Sequence, residues 1–162
     1  MIKFMIISLL LFTALFASSY NFHEIRYSDA LDKSMTLEGE ITFKKDGLAI
    51  KYKESNRALN YEDSELEYFE DGELLEIDEE EAMKIAEYFE IIILLYSGDE
   101  DALNAAFEVT KEGSLSFLIP LGEMRHHISK IKLKRGDERL RMIQLFLSNS
   151  DNITISIEDE IH

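Results

Sequence analysis

Period-two alternation, broken at short intervals by tight-turn pairs, governs most of this chain. Apolar side chains at every second position turn one face of a strand toward a core and the other toward water. Met35, Leu37, Ile41 and Phe43 share one such face, with Gly39 between Leu37 and Ile41. Leu48, Ile50 and Tyr52 form the apolar face of a return strand, and Asp46-Gly47 ahead of them is a hairpin signal, because that pair readily takes positive φ. Leu59 and Tyr61 begin another strand, and residues 65–69 and 73–77 flank a second hairpin pair, Asp71-Gly72. Residues 21–27 read as the strand before this meander. Later in the chain, residues 107–110 and 115–119 flank Glu112-Gly113, and Pro120 ends the second of these strands. Residues 128–134 and 140–147 flank Arg135-Gly136-Asp137-Glu138, and Ile153, Ile155 and Ile157 close the chain with clean alternation. The pattern amounts to roughly ten or eleven strands in antiparallel sequence.

Midway the period changes. Ala82, Ile85, Ala86, Phe89, Ile92, Ile93 and Tyr96 follow i, i+3, i+4 spacing, one stripe of a helix. Asp78 is the expected N-cap, Glu79, Glu80 and Glu81 fill a first turn where the helix dipole favours acids, and Gly98 ends the helix. Ile91, Leu94 and Leu95 lie off the stripe, so the second half of the helix is apolar nearly all round and must be covered on more than one side. A buried strand over residues 91–96 is the alternative, since three of its residues are β-branched. A short helical turn over residues 99–105 follows.

The fold class is therefore mainly β with an inserted helix: a large curved antiparallel sheet. One main helix cannot cover the whole apolar face of such a sheet. Either the sheet folds on itself as a sandwich, or it curls into an incomplete β-barrel with the helix as plug or lid. The second arrangement leaves a concave apolar cavity, the usual form of a small-molecule or lipid site.

The N-terminal segment sets the expected compartment. Lys3 supplies a positive n-region, residues 4–16 an almost purely apolar h-region, and Ala17-Ser18-Ser19 the small residues read by a signal peptidase. Residues 1–19 are read as a cleavable signal, cut near Ser19/Tyr20, and residues 20–162 as a single domain. The h-region is shorter than the stretch of about 20 apolar residues that spans a bilayer; an uncleaved anchor is the alternative. The chain has no cysteine, which excludes disulfides, thiolate metal sites, a thiol nucleophile and the lipid-modified cysteine of a lipoprotein. An exported chain of this kind is expected in the periplasm, as a monomer. Asp and Glu number 33 against 17 Lys and Arg, a net charge of −16, which argues against nucleic acid or an anionic membrane surface as the main partner. Many acids cluster in residues 62–81, a field suited to a basic partner patch or simply a solvated face.

Catalytic and metal chemistry find little support. Glu123, His126 and His127 could ligate zinc, but adjacent histidines on a strand point to opposite faces and no downstream ligand follows at suitable spacing, so a polar turn is the better reading. Ser97-Gly98-Asp99 follows a helix rather than sitting on a strand-to-helix elbow. No phosphate-cradling glycine loop is present, and neither cofactor nor metal is implied. The chain is read as a non-enzyme.

The order of elements carries a resemblance. A strand ends in a basic pair, Gly39-Glu40-Ile41-Thr42-Phe43-Lys44-Lys45; a hairpin leads to Ile50-Lys51-Tyr52; a strand pair surrounds Asp71-Gly72; a mid-chain helix comes next. Phe107-Glu108-Val109, Phe117-Leu118-Ile119-Pro120 and Ile131-Lys132-Leu133 follow. This order resembles the LolA family of periplasmic outer-membrane lipoprotein carriers and the wider LolA-like lipid-binding fold. The resemblance implies an incomplete barrel closed by helices, whose cavity takes the acyl chains of lipoproteins or another lipid. It also implies an inner-membrane exporter complex and an outer-membrane receptor as partners. Leu37, Ile41, Phe43, Leu48, Ile50, Tyr52, Phe89, Ile92, Ile93 and Phe117 are the candidate cavity lining; the alternative is an ordinary core filled by the same side chains. Lys45 stands where the family keeps a basic residue concerned with passing cargo on, and is the candidate release or headgroup residue; a solvated hairpin lysine is the alternative. A structural or regulatory module with a self-filled core is the second functional expectation.

Overall fold

The computed structural model describes residues 17–161. The expected signal lies largely in residues 1–16, outside the described residues. Eleven strands form one sheet: β1 (Ser18–Ser28), β2 (Lys33–Lys44), β3 (Gly47–Tyr52), β4 (Arg57–Glu62), β5 (Glu65–Glu70), β6 (Glu73–Leu75), β7 (Phe107–Glu112), β8 (Leu115–Pro120), β9 (Ile128–Gly136), β10 (Arg139–Leu147) and β11 (Asn152–Glu160). Two helices, α1 (Glu79–Ser97) and α2 (Glu100–Ala106), stand between β6 and β7, and a 3-10 turn, Gly122–His126, precedes β9.

The spatial order is β6-β5-β4-β3-β2-β1-β11-β10-β9-β8-β7, and every neighbouring pair is antiparallel. β1 takes the middle. The chain steps outward from it to one edge at β6, crosses through α1 and α2, and restarts at the opposite edge with β7. It then steps back until β11 pairs with β1. The arrangement is a single open curved sheet rather than a sandwich, and the two edges are β6 and β7. Register irregularities between Tyr20 and Phe22 in β1, and at Leu140/Met142 and Phe146/Leu147 in β10, mark bulges, which bend strands locally.

The apolar face of the sheet holds the core. Phe22, Ile41, Leu48, Ile50, Ile131, Ile143 and Leu145 are all but inaccessible to solvent, and Phe89, Ile92 and Leu95 of α1 pack among them. The helix starts and stops where the sequence signals it. The Asp78 carboxylate accepts from the backbone N–H groups of Glu80 and Glu81, and Gly98 takes the left-handed conformation with φ 66°. The β-branched run at residues 91–93 is helical, because the caps and the stripe outweigh the local strand preference of isoleucine.

Two turn assignments differ from the sequence reading. The β2–β3 turn is Lys45-Asp46 rather than Asp46-Gly47, and Gly47 already pairs with Lys44. Gly47 does not need positive φ; a Cβ there would stand 2.3 Å from the Tyr61 carbonyl oxygen of β4, so close strand approach requires it. In the β9–β10 hairpin Asp137 and Glu138 take positive φ, while Gly136 stays in the ladder. Asp71-Gly72 forms the expected turn with φ of 52° and 83°. The expected cut before Tyr20 falls inside β1, where Ser18 and Ser19 pair with Phe43 and Thr42.

Gly39 is the tightest approach in the sheet centre. A Cβ at Gly39 would meet the Lys51 carbonyl oxygen at 2.3 Å and Cε1 of Phe22 at 2.8 Å. Gly39→Ala is expected to lower unfolding free energy by about 2–3 kcal/mol through overpacking. Gly113→Ala, at an open turn with φ 63°, carries only the left-handed strain and is expected to cost about 1 kcal/mol. Urea denaturation of both variants checks the order; equal losses would contradict it.

Candidate functional site

α1 has two apolar faces. Phe89 and Tyr96 of the stripe meet the β1–β5 half of the sheet. There Phe89 stands edge-on to Tyr61 at 6.2 Å, and Tyr96 stacks flat on Phe43 at 3.5 Å. The Tyr20 and Tyr96 hydroxyls are hydrogen-bonded at 3.1 Å, and the Tyr61 hydroxyl donates to the Glu90 carboxylate. The second face presents Tyr88, Ile91 and Leu94 toward β9–β11 without closing on them. Near the helix C-terminus that side is tied down by the Arg135 guanidinium of β9, which donates to the Leu95 carbonyl oxygen. A cation at that end also suits the helix dipole.

Between this second face and the sheet lies a groove of about 1030 Å³. Met83, Ile85, Tyr88, Ile91 and Leu94 of α1 form one wall. Met124 of the 3-10 turn, Ile128 of β9, Leu145 and Leu147 of β10 and Ile153 of β11 form the other. Exposed Glu80, Glu81, Lys84, Glu87, Glu90, Glu123, His126 and His127 ring the opening. The combination of an apolar interior and a charged rim is that of a site for a largely apolar ligand.

A polar cluster sits on the sheet beside the groove. Glu24 of β1 is fully buried, and the Nε of Arg26 donates to its carboxylate. The Tyr52 hydroxyl donates to Oε2 of Glu24 at 3.4 Å, and the Nη2 of Arg26 reaches that hydroxyl at 3.4 Å. Arg26, paired in the sheet with Ile153 of β11, lines the groove with its side chain 43% exposed. Burial, then the Glu24 carboxylate, push the Tyr52 hydroxyl up to about 12. Burial likewise holds Tyr88 well above the usual tyrosine range, with Glu24 adding to it. The Tyr88 hydroxyl is shut off from solvent and has no hydrogen-bond partner among the described residues.

The candidate lining read from sequence occupies other ground. Ile41, Phe43, Leu48, Ile50, Tyr52, Phe89 and Ile92 are buried in the core between α1 and the sheet, with Leu37 and Ile93 half-buried against it. Phe117 is a correction: alternation in β8 turns Leu118 to the core and leaves Phe117 on the opposite face, near the Lys130 ammonium. None of the ten lines the groove. Lys45 is exposed in the β2–β3 turn. It lies at the far end of β2 from Met35, the neighbour of Arg26, about 33 Å away at ~3.3 Å per residue. Its neighbour Lys44, not Lys45, pairs with Glu62, at 2.8 Å. His126 belongs to the 3-10 turn rather than a strand, 3.6 Å from Glu123. Sequence reasoning missed Arg26, Tyr88 and the β10 wall. A signal for the first existed: Glu24 and Arg26 continue the face of Tyr20 and Phe22, placing charge where alternation calls for apolar residues.

No protein-family model matches the chain, and no curated protein does. Among solved structures, likenesses are found at low sequence identity. A domain described as an outer membrane lipoprotein-sorting protein domain, from Vibrio parahaemolyticus, aligns at 7% identity and a TM-score of 0.47, covering 90% of this chain and 84% of that one. A LolA superfamily protein from Nitrosomonas europaea aligns at 7% identity and a TM-score of 0.42, covering 91% of this chain and 86% of that one. The likeness is one of layout. No helix among the described residues is long and apolar enough to cross a membrane.

The buried cluster gives the protein an alkaline limit. A tyrosine held near 12 in the folded chain against about 10 when unfolded binds its proton more tightly in the fold. The stability this contributes is complete below pH 10 or so and is lost as pH rises through about 12. The urea midpoint is expected to fall steeply over that window, and less steeply in Tyr52→Phe. Parallel curves for the two proteins would contradict the assignment.

Proposed function

We propose that this chain is an exported, non-catalytic carrier that holds an acyl chain in the groove beneath α1. The groove carries the reading: about 1030 Å³ of space walled by Met83, Ile91, Leu94, Met124, Leu147 and Ile153 and rimmed by charge. Its size is at the upper end for ligand sites, enough for a chain rather than a compact metabolite. Each methylene buried contributes about 0.8 kcal/mol, so about ten enclosed methylenes offer roughly 8 kcal/mol before ordering costs. That scale suits a carrier, which must hold its cargo in water and still give it up.

In this reading residues 1–19 are removed on export and the chain works as a monomer in the periplasm. It takes a lipoprotein's acyl chains, or another lipid, from an inner-membrane exporter complex and moves them toward an outer-membrane receptor. A cut before Tyr20 removes two residues of β1 and leaves the pairing of Tyr20 with Ile41 and of the residues beyond it in place. Lys45, remote from the groove, has a place in this scheme only as a contact for a receiving protein.

A second reading has one observation in its favour. The β1–β4 half of the apolar face is filled by the protein's own side chains, including the Phe43–Tyr96 stack. A structural module with a self-filled core needs no more than that. The groove on the β9–β11 side is what such a module does not require.

The two readings part on ligand binding. The uncharged fluorescent probe 1-N-phenylnaphthylamine is expected to bind the full chain at micromolar concentration and to be displaced by acyl lipids. Met124→Asp and Leu147→Asp, at half-buried wall positions, are expected to weaken it at least tenfold by placing a carboxylate against the chain. Thermal unfolding should stay cooperative in both. Unchanged probe affinity in both variants would remove the groove from the function.

A further inference from the structure

The groove has a polar end as well as apolar walls. Tyr88 and Arg26 both line it, and the Tyr88 hydroxyl lies within electrostatic reach of Glu24, Tyr52 and Arg26. That hydroxyl is the one buried side-chain polar atom among the described residues that lacks a hydrogen-bond partner. A phenol left so costs stability that phenylalanine would not, so its presence calls for a partner that arrives from outside the chain. Arg26 differs in that its side chain is 43% exposed, so its spare donors are met by water and are free to exchange it for an acceptor in the groove. A guanidinium carries five N–H donors; here Nε serves Glu24 and Nη2 reaches Tyr52, and the rest of the fork lies on a side chain that lines the groove.

Charge decides what kind of acceptor fits. The Arg26 cation is already answered by Glu24, whose carboxylate is fully buried. A ligand carboxylate would add a second anion beside Glu24, inside a rim that holds Glu80, Glu81, Glu87, Glu90 and Glu123, in a chain of net charge −16. A carbonyl oxygen takes the same donors and adds no charge.

We propose that Tyr88 and Arg26 form a subsite for the carbonyl oxygen of an acyl ester or amide, which selects esterified acyl chains over free fatty acids. This rests on the carrier reading and specifies the head of the ligand that the groove takes. The hydrocarbon lies along Ile91, Leu94 and Leu147; the carbonyl meets the spare donors of Arg26, and a small turn of the Tyr88 side chain, whose hydroxyl is closed to solvent, brings that hydroxyl onto the same oxygen. The subsite sets which chain is held; the apolar walls supply most of the affinity.

Tyr88→Phe separates the two contributions, because it removes one oxygen and keeps the ring that packs against the core. The full chain and this variant are titrated with 1-monooleoylglycerol, oleate and 1-N-phenylnaphthylamine at pH 8. The parent is expected to bind the glycerol ester more tightly than oleate. The variant is expected to bind the ester about three- to tenfold more weakly, the loss of one net hydrogen bond, and the probe as the parent does. Its thermal midpoint is expected to rise by a few degrees, since the orphaned hydroxyl is gone. Equal ester affinity in parent and variant, or a parent that prefers oleate, overturns the subsite while the groove stands. A parent that binds neither ester nor probe overturns the carrier reading and the subsite together.

Discussion

Eleven strands side by side make an apolar face that one helix cannot cover. At ~4.8 Å per strand the sheet is roughly 48 Å wide along its curve, whereas the 19 residues of α1 give a rod about 28 Å long. The connection from β6 to β7 has to cross from one edge of the sheet to the other, and α1 is its main element. The helix therefore has to commit to part of the face. It commits to β1–β5, through the Tyr96–Phe43 stack, the Phe89–Tyr61 contact and the hydroxyl bonds at either end of that contact line. What remains over β9–β11 is bridged by Arg135 near Leu95 and is otherwise open, and the groove is that remainder.

The same constraint explains why charge is tolerated on the core face of β1. Phe22 and Tyr20 lie under the packed half and are apolar or hydrogen-bonded. Two and four residues beyond Phe22, the strand passes beneath the groove side, and Glu24 and Arg26 take the positions. A buried carboxylate is costly unless paired, and Arg26 and Tyr52 pair it. The cluster is nearly balanced, and the Tyr88 hydroxyl is its one unpaired member. Residues kept at a cost to stability are expected at sites that work.

Most of the fold was legible in the sequence, because alternation and turn pairs specify strands directly and Asp78 and Gly98 mark the helix ends. The errors in the turns came from reading glycine only as a source of positive φ, when Gly47 serves the close approach of Tyr61. The site was far less legible. Ile41, Leu48, Ile50 and Ile92 have the composition of a lipid cavity and equally of a core, and only the placement of α1 decides between them. Leu147 and Met124 come to the groove from a strand end and a 3-10 turn that no local pattern links to a helix roughly thirty to seventy residues earlier. Phe117 was misplaced because residues 115–119 are apolar at four of five positions, which hides the alternation that turns Leu118 inward.

A groove that is a site for an acyl chain, and not a packing defect, retains lipid through purification. Native mass spectrometry of the full chain, purified without detergent from a host that exports it, tests this directly. The expected result is a protein population heavier than the bare chain by the mass of an acyl lipid, lost on organic extraction and recovered in the extract. A single population at the mass of the bare chain, unchanged after incubation with excess monoacylglycerol, would contradict it.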